Sequence, residues 1–185
     1  KYDLQVLRFF MLSAHYRSQL NFSEELMDAA KNGYERIVTS VSNLKFLQKN
    51  TQVEDLTKEE EELLTKAGEF VTQFEEAMED DFNTADALAS IFELVKFANT
   101  NVQGGRSRDF LQKLSKQIIQ LSNICGFVVD KEEEMLATDI EALIEQRQQA
   151  RREKNFARAD EIRKELLEKG ILLEDTREGV RWKRA

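Results

Sequence analysis

No proline occurs anywhere in the 185 residues. Proline ends or kinks helices because it lacks the backbone N–H and its ring clashes with the preceding turn, and it makes up about 5% of ordinary sequences. A chain without it, and rich in Leu, Glu, Lys, Ala and Gln, can form long uninterrupted helices. The expected fold class is mainly α. With 41% hydrophobic and 34% charged residues the chain is globular, and no apolar run approaches the ~18 residues of a membrane span. A lone thiol, Cys125, excludes an internal disulfide, and with a single His15 it leaves too few ligands for a Cys/His zinc site. Its length predicts one domain with at most a small appendage, and its cysteine usage predicts a reducing cytoplasm. It starts at Lys1 inside an amphipathic pattern, which reads as a fragment of something longer.

Periodicity and capping residues divide the chain. Leu4, Leu7, Phe10 or Met11 and Ala14 form one apolar helical stripe over 3–15. Ser23, with Glu24 and Glu25 behind it, opens a second helix to about Lys49 whose stripe is Leu26, Ala29 or Ala30, Ile37, Val41, Leu44 and Leu47. Thr57 and Glu60 have capping-box spacing before a third helix carrying Leu63 through Met78. Asp80 to Thr84 break it and cap a fourth, with Leu88, Ile91, Phe92, Val95 and Ala98 inward. Gly104-Gly105 is a turn, and a fifth helix with Leu111, Leu114, Ile118, Leu121 and Ile124 ends at Gly126. Antiparallel packing of the helices between 24 and 125 predicts a bundle. After a linker at 127–137, a helix from Thr138, a break at Asn155, a helix ending at Gly170 and two strands around a turn at 175–179 predict a small helix-helix-hairpin module.

Net charge is −8, but it is unevenly spread. Residues 54–81 hold twelve acids against two lysines, whereas residues 146–185 hold twelve Lys or Arg against eight acids. A polyanion would therefore bind at the C-terminal end. No glycine-rich phosphate loop exists, His15 has no nucleophile near it in sequence, and Cys125 reads as a buried small apolar residue. No catalytic residue and no metal ligand is predicted. Glu59 to Glu62 point in four directions around a helix and read as a solvated face.

The informative stretch is Arg151 to Lys164. Its basic residues flank one aromatic, Phe156, and Asp160 follows at i+4 on the same helical face. An aromatic or guanidinium for stacking and a carboxylate for base edges are the parts that read single-stranded RNA. The competing reading is that Phe156 and Ile162 pack the short helix onto the hairpin while the charges are solvated. On spacing alone, packing is the simpler account.

Three stretches together resemble one family. Leu7-Arg8-Phe9-Phe10-Met11-Leu12-Ser13-Ala14-His15-Tyr16-Arg17-Ser18-Gln19-Leu20-Asn21-Phe22-Ser23 resembles the segment after the KMSKS loop of cysteinyl-tRNA synthetases. Asp80-Asp81-Phe82-Asn83-Thr84-Ala85-Asp86-Ala87-Leu88 is similar to the signature of that family's helical anticodon domain. The Arg151 to Lys164 stretch, with Gly170-Ile171-Leu172-Leu173-Glu174-Asp175 through Trp182-Lys183-Arg184, resembles its bacterial C-terminus. There are departures: Leu4, Gln19 and Ala85 stand where the family usually has Pro, the Asp-Ala-Leu-Arg signature ends in Ala89, and Phe156 stands where Trp is frequent.

The resemblance implies a DALR-type anticodon-binding helical bundle. It divides the chain into a connector at 1–22, the bundle at 23–126, a linker at 127–137 and an anticodon-recognition module at 138–185. It implies a class I cysteine-tRNA ligase in which ATP activates cysteine, with the HIGH and KMSKS motifs, the ATP site and the zinc ligands all upstream of Lys1. This chain would then be inactive alone. The partners implied are tRNA(Cys) with a GCA anticodon and the chain's own catalytic domain, with no membrane, no DNA, a monomeric state and a cytoplasmic location. By the same resemblance Arg151, Phe156, Asp160 and Asp175 contact the anticodon, and Arg17, Arg152 and Arg158 are weaker backbone candidates. Two other readings stay open: a helical protein adaptor using the acidic face, and the tail of a related cysteine-activating ligase that makes a small thiol without tRNA.

Overall fold

The computed structural model describes residues 2–103, 105–130, 138–153, 155–168, 171–176 and 179–184. It is mainly α and divides into two units, 1–131 and 132–185.

The first unit contains α1 (Leu4–Leu12), α2 (Glu24–Asn50), α3 (Lys58–Glu79), α4 (Thr84–Asn101) and α5 (Arg108–Ile124). Each start is set by a side chain that accepts from an otherwise orphaned backbone N–H: Asp3, Ser23, Thr57, Asn83 and Ser107. Thr57 and Glu60 complete a reciprocal capping box. The helices form a bundle in which α3 packs on α4 and α5, α2 packs on α5, and α1 lies across α2 and α4. Ile37, Leu44, Ile91, Leu94, Leu114 and Ile118 are fully enclosed in its core.

Inward faces follow the predicted stripes except at helix ends and in α1. Met27 is buried and Leu26 is 45% exposed; Phe110 is buried and Ile124 is 61% exposed. In α1 the predicted stripe is inward only at Phe10: Leu4 and Met11 are 79% and 57% exposed and Leu7 is exposed, while Val6 and Phe9 enter the core with Phe10. The sequence LQVLRFFML is apolar nearly all round, so its period does not select the face; the Phe9 and Phe10 rings do. Gly33 of α2 is where Phe9 rests, and a Cβ there would meet the ring at 3.0 Å. Of the predicted glycine turn, Gly105 has φ 77° and Gly104 lies outside the described residues.

α5 ends in a Schellman motif. The Gly126 N–H donates to Asn123 O and the Phe127 N–H to Ser122 O, both at 2.9 Å, with Gly126 at φ 74°. The chain from Phe127 to Asp130 then packs into the first unit: Phe127 and Val129 are buried, and the Tyr34 hydroxyl donates to Val128 O at 2.5 Å. The rest of the expected linker, 131–137, lies outside the described residues.

The second unit contains α6 (Thr138–Arg152), α7 (Phe156–Glu168) and the antiparallel pair β1 (Ile171–Thr176) and β2 (Gly179–Arg184). Register runs from Ile171 opposite Arg184 to Thr176 opposite Gly179, so Asp175, Thr176 and Gly179, expected in the turn at 175–179, belong to the ladder. Ile162, Leu166, Ile171 and Leu173 form a separate small core against Leu143 and Ile144. Gly170, expected to end α7, lies outside the described residues.

Candidate nucleic-acid interface

Asn155 builds the corner of the second unit. Its N–H donates to Ala150 O at 2.8 Å as α6 ends, and its side-chain Oδ1 accepts from the Arg158 N–H at 3.2 Å, which caps α7. Arg151 and Arg152 occupy the last turn of α6, and Phe156 is the first residue of α7. All three are exposed, Phe156 at 63%. Asp160 lies one turn on and is also exposed, about 6 Å along the axis from Phe156. Ala159, Ile162 and Leu166 form the buried face of α7. The packing account therefore holds for Ile162 and not for Phe156, whose ring is left in solvent. Arg158 is paired with Glu161 at 2.6 Å. Asp175 lies in β1 opposite Val180, and its side chain lies outside the described residues.

Arg17 belongs to the first unit, in a cluster that sequence reading missed. The Asp81 carboxylate accepts from the Tyr16 hydroxyl at one oxygen and pairs with Arg17 Nη1 at the other, both at 2.9 Å. His15 stacks on Tyr16 with ring centroids 4.7 Å apart, and its Nδ1 accepts from the Arg17 N–H at 3.2 Å. The Asp81 hydrogen bond raises the Tyr16 pKa. Two of the three stretches that carry the family resemblance thus meet in space. The acidic run is also partly used inside the fold: Glu54 pairs with Arg108, Glu59 with Arg106, and Glu60 is buried on Ser107. That leaves less of it for an adaptor surface.

Among the described residues no group of three or more His, Cys, Asp or Glu is placed to hold a metal ion, and no helix is long and apolar enough to cross a membrane. Cys125 is buried, and burial pushes its thiol up to about 11.

A helical bundle followed by a small module that presents an exposed aromatic between exposed arginines fits an anticodon-binding region. Residues 73–129 match the DALR domain family, and residues 134–182 match the cysteinyl-tRNA ligase anticodon binding domain. The chain belongs to the cysteine-tRNA ligase family and corresponds to its C-terminal part. It is 57% identical over its whole length to the cysteine-tRNA ligase of Lachnospira eligens and 50% identical to that of Lachnoclostridium phytofermentans. It is 45% identical, over 99% of its length, to that of Clostridioides difficile. It spans 39–40% of the length of these relatives.

Proposed function

We propose that this chain selects tRNA(Cys) for a cysteine-tRNA ligase by reading its GCA anticodon. The observation that carries the reading is Phe156, a large aromatic left 63% exposed at the first position of α7 between exposed arginines. Exposing such a ring loses hydrophobic stabilisation, and stacking an unpaired base on it is the interaction that recovers it. In this reading Arg151 donates to the carbonyl and ring nitrogen of cytosine. Asp160 or Asp175 accepts from guanine's ring N–H and exocyclic amine, a pairing adenine cannot offer. Arg17, Arg152 and Arg158 contact the phosphate backbone, Arg158 only as far as Glu161 leaves it available.

The proposed division is a connector at 1–22, docked on the bundle through α1, a bundle at 23–126, a linker at 127–137 whose first residues, 127–130, pack on the bundle, and the reading module at 138–185. The reaction itself, ATP-driven activation of cysteine and its transfer to the tRNA 3′ end, belongs to the portion of the relatives that this chain does not match. ATP and zinc are assigned there too, as the family resemblance implies. The whole protein would act in the cytoplasm as a monomer.

A gel shift of tRNA(Cys) by the 185-residue chain at increasing salt tests this reading. Binding that weakens with salt, and that weakens further when the anticodon is changed, is expected. Equal binding to a tRNA with an unrelated anticodon would overturn it.

A further inference from the structure

We infer that Asp81 is a positioning residue, which holds the Arg17 guanidinium in place for an RNA phosphate. This rests on the tRNA-binding reading and adds a residue of opposite charge to it. Arginine has a long side chain with much rotamer entropy, which a surface contact must immobilise. Arg17 is held before any ligand arrives: its Nη1 is 2.9 Å from Asp81, and its guanidinium lies 5.3 Å from the Tyr16 ring centroid. Tyr16 is itself fixed by its hydroxyl on Asp81 and by the stacked His15 ring. Yet the Arg17 side chain remains 69% exposed. A guanidinium has five N–H donors in a planar fork, so one edge can sit on a carboxylate while another faces an anion.

The backbone that presents Asp81 is strained. Asp81 and Phe82, at φ 55° and 53°, are two consecutive non-glycine residues in the left-handed region. Phe82, 67% exposed, takes this conformation without burying its ring. The turn reverses the chain between Asp80, the C-cap of α3, and Asn83, the N-cap of α4, and it brings Asp81 back onto residues 14–17, where Thr84 Oγ1 also reaches Ala14 O at 3.5 Å.

The sign of one substitution separates this role from general electrostatics. Glu79, Asp80 and Asp86 surround the turn in sequence, so removing any acid here should strengthen RNA binding if only net charge matters. If Asp81 positions Arg17, removing it should weaken binding although the protein becomes more positive. The experiment is filter binding of tRNA(Cys) to the 185-residue chain from about 50 to 200 mM salt. Arg17→Ala is expected to weaken binding about three- to ten-fold, the scale of one exposed charged contact, and to lower the salt slope by about one. Asp81→Ala and Asp81→Asn are expected to weaken it in the same direction, and Arg17→Ala with Asp81→Ala together no further than Arg17→Ala alone. Asp80→Asn, the control, should bind as tightly as the parent or tighter.

Tighter or unchanged binding by folded Asp81→Asn overturns the inference, as does an unchanged salt slope in Arg17→Ala. If Asp81→Ala does not fold, Arg17→Ala and Tyr16→Phe, which keeps the ring and loses the hydroxyl, decide the matter. Loss of binding in Asp160→Ala with none in Arg17→Ala or Asp81→Asn removes this inference and leaves the tRNA reading standing. No binding by the parent removes both.

Discussion

Glu60 and Ser107 lie 47 residues apart, and they join the N-termini of α3 and α5 through one buried carboxylate. Glu60 Oε1 accepts from the Ser107 N–H at 2.9 Å, and Oε2 accepts from the Ser107 hydroxyl at 2.8 Å and from the Thr57 N–H at 2.9 Å. Burial, with only 2% of the residue exposed, pushes its pKa up, but these bonds outweigh it and the net shift is downward. The folded state thus holds the carboxylate charged at pH values where the unfolded chain, near the ordinary ~4.3, has begun to protonate. Stability from this group is fully present above the unfolded value and is lost as pH falls through the folded one. Thermal melts should show Glu60→Gln below the parent at pH 7 by about 2–4 kcal/mol, since the amide keeps only one acceptor oxygen and turns an NH2 group toward N–H donors that the second carboxylate oxygen had accepted. The gap should narrow on acidification; a constant gap would place the carboxylate's charge outside the balance.

Gly126→Ala should destabilise the first unit by about 1–2 kcal/mol, because φ is 74° there and a new Cβ would meet Arg8 Nη1 at 2.6 Å. Arg8→Ala with Gly126→Ala should recover the steric part and leave the backbone part, which chemical denaturation can separate.

Phe156→Ala should leave the melting temperature within about 1 °C of the parent, because a side chain this exposed contributes little to the core. It should weaken tRNA binding by about 1–3 kcal/mol, the range for one stacked base. A melting temperature lowered by several degrees would return Phe156 to a packing role.

Asp160→Ala and Arg151→Ala should each cost about 1–3 kcal/mol in tRNA recognition. Replacing the first anticodon guanine by adenine should hurt the parent strongly, and should hurt the variant that has lost the guanine contact little further. Additive penalties for Asp160→Ala, measured by binding titration, would mean that its carboxylate does not touch that base.

Cys125 should resist alkylation in the native state. With its pKa near 11, about one molecule in a thousand carries a thiolate at pH 8, and the group is buried as well. Maleimide labelling should proceed only on unfolding.

What was legible in the sequence is what local chemistry encodes. Ser23, Thr57 with Glu60 and Asn83 open helices because a side-chain oxygen reaches an N–H three residues on, and Gly126 closes one because its φ is positive. The inward face of α1 was not legible, since an all-round apolar helix carries no phase. Glu60 read as one solvated acid among four, because its deciding partner is distant in sequence. The Asp81 cluster was hidden for the same reason, although both of its stretches resemble the family. At the candidate site, spacing put Phe156 and Asp160 on one face, but only the fold separates an exposed Phe156 from a buried Ile162.

The segment that follows the Schellman turn gives the first unit a particular load path. Gln5 Oε1 accepts from the Val128 N–H at 3.1 Å, Arg8 donates to Gly126 O, and the Phe9 and Phe127 rings sit 5.3 Å apart. The first helix and the last residues of the unit are therefore laced side by side. A pull applied between them would load these three contacts in shear, together with the Tyr34 hydroxyl that ties Val128 to α2. Tension between the flanking portions of the polypeptide would therefore act first on one short seam and pass into the bundle through α2, where Tyr34 holds Val128 and Gly33 seats Phe9.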